Sequence, residues 1–250
     1  MGWFTDLVTV VRQRLGDRTE PVPAGQPASI EELLERMRAV GDTLPDGDGV
    51  RAFHEMYVRV TELVRDRVVE GHFGDPRFMI RLDVVFAGLY LEAVAAPRPA
   101  HAWSPVLDSR RTPGILSIQF ALAGMNAHIN HDLPVALVRA CRQLGTDLDA
   151  PGVEADYRRI TGILESVQEQ VRRSFFDGVH LELDRWAAPV SNLVASWSIG
   201  RAREAAWTNA RVLWELDGVE PLRTEFLDRL DRSVELGGRF LLTPVAVAQG

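Results

Sequence analysis

Several features that mark common protein classes are scarce or missing in this sequence. The single cysteine, Cys141, cannot form a disulfide within the chain, so we expect a reducing compartment. It lies in an apolar run, which favours a small buried side chain over a nucleophile. The sequence contains no phosphate-binding loop, no dinucleotide fingerprint, no nucleophile elbow and no paired-cysteine zinc motif. These absences exclude the commonest enzyme classes.

The chain also lacks an excess of basic residues and any long apolar run. Its net charge is −7 at pH 7. A nucleic-acid binder normally carries a basic face, so we expect no nucleic-acid partner. No apolar stretch is long enough to span a bilayer, and the first residues do not form a secretory signal. We therefore expect a cytoplasmic protein without stable membrane insertion, while the oligomeric state stays open.

Helical periodicity dominates the 250 residues. Hydrophobic residues make up 46% of the chain and charged residues 25%, as in a globular domain with a substantial core. Strand-like alternation is scarce. The pattern predicts an all-α fold, an irregular multi-helix bundle around a central apolar helix. We interpret residues 1–28 as an N-terminal amphipathic helix and linker, and residues 29–250 as a single all-α domain.

Capping residues and helix breakers give approximate bounds for the helices. Ser29 is a predicted N-cap, and Pro76 is predicted in the first turn of a helix. Residues 97–113 and the tail from Gly237 show no helical signal. The predicted helices cover residues 3–15, 29–40, 50–70, 76–95, 116–144, 154–186, 190–216 and 221–236.

The central apolar helix contains a dense cluster of polar residues. The members of this polar island are Asn126, His128, Asn130, His131 and Asp132. Apolar residues lie on both sides of it, so these side chains are expected to be buried and to need partners. Pro134 offers no N–H to the carbonyl of Asn130, so we expect the helix to bend there. Such an island is typical of a functional site or of a network that fixes helix order.

The spacing within the island favours metal binding. Residues three and four apart share a helix face, so His128, His131 and Asp132 are expected on one side of the helix. Two imidazoles and a carboxylate suit a divalent metal such as zinc, iron or manganese. His54, at the border of another apolar face, is a further candidate ligand, although such a histidine is more often a satisfied core residue.

Other residues complete the predicted site. Asp83 lies on an apolar stripe and is interpreted as a catalytic base, a metal ligand or half of a salt bridge. Arg203 and Trp207 begin a stripe that suits an anion or aromatic ligand, but helix packing with ion pairs is the favoured interpretation. The candidate catalytic residues are His128, His131, Asp132 and Asp83. The candidate substrate-binding residues are Asn126, Asn130, Tyr90, Trp103 and Trp207.

Several of these segments resemble an uncharacterised bacterial family that is common in actinobacteria. The resemblance covers most of the chain after about residue 29 and implies no activity. It depends most on Gln119–Pro134, which includes the motif Asn-Ala-His-Ile-Asn-His-Asp-Leu-Pro. Further matching segments are Phe53–Tyr57, Asp83–Ala87, Ala102–Trp103, Trp197 and Ala206–Trp207.

A weaker similarity connects the chain to the all-α zinc-dependent phospholipase C and single-strand nuclease group. In that group a His-x-x-x-Asp pair precedes a proline on a core helix, and His128, Asp132 and Pro134 look like this arrangement. The group also uses further histidines and a free N-terminal tryptophan, whereas here Trp3 follows two other residues. The resemblance therefore implies a site for one or two metal ions at most.

Three functions are compatible with the sequence. The favoured one is a small-molecule enzyme with its site on the central helix, acting as a metal-assisted hydrolase. The second is a metal-free cyclase or isomerase of specialised metabolism that uses His and Asp for acid–base chemistry. The third is a non-catalytic helical binding protein in which the island is a buried polar network. The expected partner is a small-molecule ligand, and the third function also allows a partner that the sequence does not identify.

Overall fold

The computed structural model describes residues 20–177 and 197–244, with side chains described for residues 20–165 and 197–244. The predicted all-α fold is confirmed, and no strand occurs within these ranges. The elements are α1 (Ile30–Thr43), α2 (Gly49–Val69), α3 (Pro76–Ala95), α4 (Ser104–Ser109), α5 (Ser117–Ala127), a π-helical turn (His128–Asp132), α6 (Leu133–Leu144), α7 (Val153–Asp177), α8 (Ile199–Glu215) and α9 (Glu220–Leu241).

Three predicted helices, those over residues 3–15, 154–186 and 190–216, fall partly or wholly outside these ranges. The amphipathic helix predicted at residues 3–15 lies outside the described residues. The same holds for residues 178–196, where the predictions placed the end of one helix and the start of the next. None of the described helices combines the length and the hydropathy that crossing a bilayer requires.

Side chains of short polar residues begin the first three helices. Ser29 Oγ accepts from the N–H of Glu32 at 3.2 Å, as the predicted N-cap requires. Asp48 caps α2 and Asp75 caps α3 in the same way. Pro76 follows in the first turn, where its missing N–H costs nothing. These local signals explain why the predicted starts agree closely with the structure.

The long apolar helix lies at the centre of the bundle, as predicted. Its first half, α5, packs against α2 and α9, and its second half, α6, packs against α3 and α8. The close approach of α2 depends on Gly124, where an added Cβ would lie 2.4 Å from Cγ of Phe53. Residues along both halves are fully buried, among them Ala121, Ala123, Ala127, Ala136, Leu137 and Ala140.

Three features of the described residues differ from the predictions. Residues 197 and 198 interrupt the helix predicted over 190–216, and α8 starts at Ile199 after the N-cap Ser198. A short helix, α4, occurs within residues 97–113, which were expected to be loop. The last helix continues through Gly237 and Gly238 to Leu241 instead of ending near residue 236. Glycines usually weaken a helix, but here they allow a close contact: a Cβ at Gly238 would lie 3.1 Å from Cγ of Pro105.

Candidate functional site

A wide turn in the middle of the long helix brings the central site residues together. His128–Asp132 form a π-helical turn, in which the N–H of Leu133 donates to the carbonyl of His128 five residues earlier. Pro134 has no N–H, and in a regular helix its ring collides with the carbonyl four residues before it. The wider turn relieves this conflict. The irregularity expected before Pro134 therefore takes the form of a π turn.

Asp132 is the centre of a buried hydrogen-bond network. Its Oδ2 accepts from His128 Nδ1 at 3.0 Å and from the indole Nε1 of Trp103 at 2.9 Å. Its Oδ1 lies 2.7 Å from Nδ1 of His131. Trp103 is the residue that precedes α4, and it lies far from the polar island in sequence. Three nitrogen donors thus hold one carboxylate in a fixed orientation.

These hydrogen bonds set the protonation state of His128. Burial alone raises the pKa of Asp132, but the hydrogen bonds from His128 and His131 outweigh it and lower that pKa below its usual value. An ionised carboxylate only accepts, so Nδ1 of His128 carries a proton. Burial lowers the pKa of His128 and outweighs the opposing effect of Asp132. At neutral pH the ring is therefore uncharged, with a lone pair on Nε2.

His131 has the opposite tendency. Burial lowers the pKa of His131, but the hydrogen bond and charge of Asp132, with the charge of Asp231, raise it overall. Its Nε2 lies 3.6 Å from Oδ1 of Asp231, and its side chain is 17% exposed. The pKa values of the two histidines bonded to Asp132 are therefore shifted in opposite directions. The shift favours the imidazolium form of His131 and the neutral form of His128.

Aromatic rings enclose the imidazole of His128. Phe86 stacks on it, with ring centroids 3.5 Å apart and planes 4° apart, and Tyr57 meets it edge-on at 4.5 Å. Three further rings lie at centroid distances of 5.8 to 6.0 Å, those of Phe53, Tyr90 and Trp103. This enclosure is the physical cause of the lowered pKa of His128, because an imidazolium would lose its hydration there.

An apolar cavity of about 80 Å³ adjoins His128. The side chains in its wall that bear nitrogen are His128 and Arg203. Nε2 of His128 makes no hydrogen bond to any of the described residues. The apolar part of the wall comes from α2, α3, the central helix, α7 and α8, and includes Met56, Tyr57, Phe86, Ile129, Leu164 and Ile199.

Arg203 is a buried cation at the same cavity. It is only 4% exposed. Its Nε donates to Thr161 Oγ1 at 2.8 Å, and its guanidinium lies over the ring of Tyr157 at 4.3 Å. Nη2 has no hydrogen-bond partner among the described residues, and burial lowers the pKa of Arg203. The sequence interpretation favoured packing for this residue, and its place in the wall of the same cavity as His128 could not be read from helical spacing.

Comparison with known proteins adds a family. A family model described as a family of unknown function (DUF5995) matches residues 30–244. The chain belongs to this family. Among curated proteins and among solved structures no match was found. DUF5995 membership agrees with the predicted resemblance to an uncharacterised family, whereas the similarity to the phospholipase C group stays a prediction.

A second, more open pocket lies on the other side of the island in this DUF5995 chain. It has a volume of about 390 Å³, and its wall includes His131, Asp132, Arg139, Asp228 and Asp231. The Asp231 carboxylate also accepts from the backbone N–H groups of residues 101 and 102, at 3.0 and 2.7 Å. It therefore anchors the loop that positions the indole of Trp103.

The amides of the island hold helices together. Asn126 Nδ2 donates to the carbonyl of Val234 at 2.9 Å, and its Oδ1 accepts from Asn130 Nδ2 at 3.1 Å. The first of these bonds joins the central helix to α9, and the second lies within the central helix. Neither amide lines the apolar cavity, and a role of Asn126 and Asn130 in substrate binding stays a prediction.

The remaining candidates occupy separate positions. Tyr90 meets Nδ1 of His54 through its hydroxyl at 2.9 Å. Trp207 packs against Tyr157, with ring centroids 4.8 Å apart. Asp83 is buried without a hydrogen bond to Oδ2, and burial raises its pKa to about 7. None of these side chains lines the apolar cavity.

The geometry of the predicted metal ligands differs from a converging set. Across residues 20–165 and 197–244, no group of three or more His, Cys, Asp or Glu side chains is arranged to hold a metal ion. The Nδ1 atoms of His128 and His131 both meet oxygens of Asp132, so the three candidates bind one another. His54 is separated from them by Tyr90. A divalent metal on this helix stays a prediction.

Proposed function

We propose that this chain is a small-molecule enzyme that moves a proton on the hydrocarbon part of its substrate, with His128 as its general base. The observation that supports it is an uncharged imidazole whose Nδ1 is bound to Asp132, whose Nε2 is unbonded and which lines an apolar cavity. Of the functions considered from the sequence, this is the metal-free acid–base enzyme, in the form of an isomerase.

His128 Nε2 takes the proton in this reaction. A carbon atom next to a carbonyl or a double bond loses its proton to the Nε2 lone pair, and the electron pair delocalises into the neighbouring π system. The imidazolium that forms is stabilised by the charge of Asp132, to which its Nδ1–H already donates. Returning the proton to another carbon completes an isomerisation without loss or gain of atoms. General bases of this kind contribute roughly 10²–10⁴-fold to the rate.

Asp132 acts as a positioning residue for this base. Trp103 and His131 hold its two oxygens, so its hydrogen bond to His128 fixes both the ring orientation and the Nδ1–H tautomer. The surrounding aromatic rings reduce the local dielectric, which strengthens the interaction of Asp132 with the developing imidazolium. The same carboxylate thus orients the base and stabilises its charged form.

Two features favour this function over the other two. A network that served only helix order would be expected to satisfy both nitrogens of a buried imidazole, yet Nε2 of His128 has no partner among the described residues. A metal-assisted hydrolase requires ligands that converge on one ion, whereas the imidazoles here converge on Asp132. A small-molecule substrate beside Nε2 fits the geometry better than either alternative.

Hydrogen–deuterium exchange tests the proposal. The protein, prepared without a histidine tag and treated with EDTA, is incubated in D₂O with a panel of small ketones and enones, and exchange at carbon is followed by NMR. We expect exchange by the wild type and a loss of roughly 10²–10⁴-fold in His128→Gln. His72→Gln, which changes a half-exposed histidine away from the cavity, is the matched control and should leave the rate unchanged.

Two outcomes would count against the proposal. Equal exchange rates for the wild type and His128→Gln would remove His128 as the base. Hydrolytic activity that disappears on chelation and returns with zinc, iron or manganese would favour the metal-assisted hydrolase instead. Thermal melting of each variant separates loss of chemistry from loss of folding.

A further inference from the structure

Arg203 carries a charge that the described part of the molecule does not balance. It is 4% exposed, and none of the described carboxylates forms an ion pair with it or raises its pKa. Its hydrogen-bonded and stacked neighbours, Thr161 and Tyr157, are both uncharged. A buried cation without a counter-ion is costly, and buried charges in proteins are normally paired. The position therefore calls for an anion.

Arg203 contributes to the wall of the apolar cavity, and the Nη2 atom of its guanidinium is buried. Nε is used by Thr161 and one face is covered by Tyr157, while Nη2 has no partner among the described residues. The hydroxyl of Tyr157 also donates to the backbone carbonyl of Arg203, which fixes the first turns of α8 against α7. The N–H groups of Nη2 can donate to the oxygens of a carboxylate, whereas a polyvalent anion such as phosphate would have most of its charge unpaired against the apolar wall.

The cavity sets the size and polarity of what accompanies that carboxylate. Apart from His128 and Arg203, the wall is made of aliphatic, thioether and aromatic side chains. Its volume of about 80 Å³ is roughly half that of a 150 Å³ cavity that binds benzene. The hydrocarbon part of the ligand is therefore short, on the order of three or four carbon atoms. A polar or branched sugar-like ligand would leave its hydroxyl groups unpaired here.

We propose that the ligand of this cavity is a short-chain monocarboxylate, with its carboxylate on Nη2 of Arg203 and its hydrocarbon chain against His128. As a statement about binding, this stands on the cavity and Arg203 alone. As a statement about the substrate, it rests on the proposed function and makes the substrate of His128 a small acid with an acidic carbon in its chain. Arg203 would then hold the end of the molecule that does not react.

Calorimetric titration with unreactive probes tests the inference. Pentanoate and its neutral isostere pentanamide are titrated into the full chain near pH 7. We expect pentanoate to bind about 10- to 100-fold more tightly than pentanamide, which is the range for a hydrogen bond to a charged group. This preference should vanish in Arg203→Gln. Arg211→Gln is the matched control, because Arg211 lies two turns along α8 and pairs with Asp149 in a half-exposed site.

A second variant keeps the test decisive if Arg203→Gln folds poorly. Arg203→Met removes the charge but retains the length and the packing against Tyr157, and replacing an unpaired buried charge with an apolar chain is often tolerated well. We expect Arg203→Met to raise the melting temperature or leave it unchanged, and to bind pentanamide at least as well as pentanoate. Equal affinity of the wild type for the two probes, or undiminished pentanoate binding in both variants, would overturn the inference.

The results for binding and for chemistry can be told apart. Selective pentanoate binding together with absent carbon exchange would leave the ligand class in place and remove the proposed enzyme. Carbon exchange on neutral ketones without any preference for carboxylates would support the proposed enzyme and remove the proposed ligand class. His128→Gln should retain the pentanoate preference, since the charge of the ligand is held by Arg203 and not by the imidazole.

Discussion

At the scale of single residues, one carboxylate bonds to two histidines whose pKa values are shifted in opposite directions. Asp132 bonds to both Nδ1 atoms. Burial lowers the pKa of His131, but Asp132 and a second anionic neighbour, Asp231, raise it overall. His128 is surrounded by aromatic rings, so burial decides and its pKa is lowered. The difference arises from the surroundings of each ring and not from the bond they share.

Part of this arrangement could be predicted from the sequence. The spacing of His128 and Asp132 implied their contact, because residues four apart share a helix face. The indole of Trp103 was expected near the site only as a substrate-binding group, and its bond to Asp132 depends on how the loop before α4 packs. Arg203 was seen as a member of a helical stripe, but burial without a counter-ion is a tertiary property that no local spacing contains.

Asp83 gives a prediction about stability and pH. Burial raises its pKa from 3.8 to about 7, so the unfolded chain loses this proton at lower pH than the folded chain. Its ionisation therefore opposes folding, and the free energy of unfolding should fall as the pH rises from about 4 to about 7. The asparagine in Asp83→Asn does not titrate, so this variant should not show that fall in the free energy of unfolding. We expect its stability relative to the wild type to be about 2–3 kcal/mol greater at pH 8 than at pH 5.

Urea unfolding of both proteins at the two pH values checks this. The comparison between pH values cancels any constant cost of placing an amide at the buried position. Asp228→Asn, in an exposed pair with Arg232, is the matched control for an aspartate-to-asparagine change outside the core. A gain for Asp83→Asn that is the same at both pH values would show that the carboxyl ionises normally in the folded state.

At the scale of elements, sites of close approach were the hardest to predict. The starts of the first three helices agreed with the sequence because Ser29, Asp48 and Asp75 act within a single turn. The end of α9 did not, because the tail from Gly237 shows no clear helical signal, whereas the structure uses Gly237 and Gly238 to bring α9 against Asn126 and Pro105. Whether a glycine ends a helix or admits a neighbour depends on tertiary packing.

Two glycines in different surroundings make this argument testable. At Gly124 an added Cβ would lie 2.4 Å from Phe53, whose ring contacts that of His128. At Gly88 it would meet nothing within 4 Å. We expect Gly124→Ala to lower the free energy of unfolding by about 1–3 kcal/mol through overpacking. Gly88→Ala should raise it by about 0.5–1 kcal/mol, because alanine favours a helix more than glycine does.

Denaturant unfolding of the two variants provides the measurement. The matched pair separates the close contact from the general effect of alanine in a helix. If Gly124→Ala proved as stable as the wild type, the close packing of α2 on α5 would be incorrect, and the enclosure of His128 with it.

At the scale of the whole molecule, the bundle assembles a site from segments far apart in sequence. The all-α class and the central helix followed from periodicity, since burial on every side leaves a visible apolar pattern. The cavity could not be predicted from periodicity, because its wall combines residues of α2, α3, the central helix, α7 and α8. The protonation state of His128 depends on all of these, together with Trp103, so it reports on the assembled site more completely than any single contact.

The most direct test of the central claim is a pH titration of the His128 imidazole, followed by ¹⁵N NMR in histidine-labelled protein. His128→Gln identifies its signals among the six histidines. We predict an uncharged ring with the proton on Nδ1 and the lone pair on Nε2, and a pKa below the ordinary 6.5 because burial disfavours the imidazolium. A proton on Nε2 in the neutral ring, or a pKa at or above 6.5, would contradict the account.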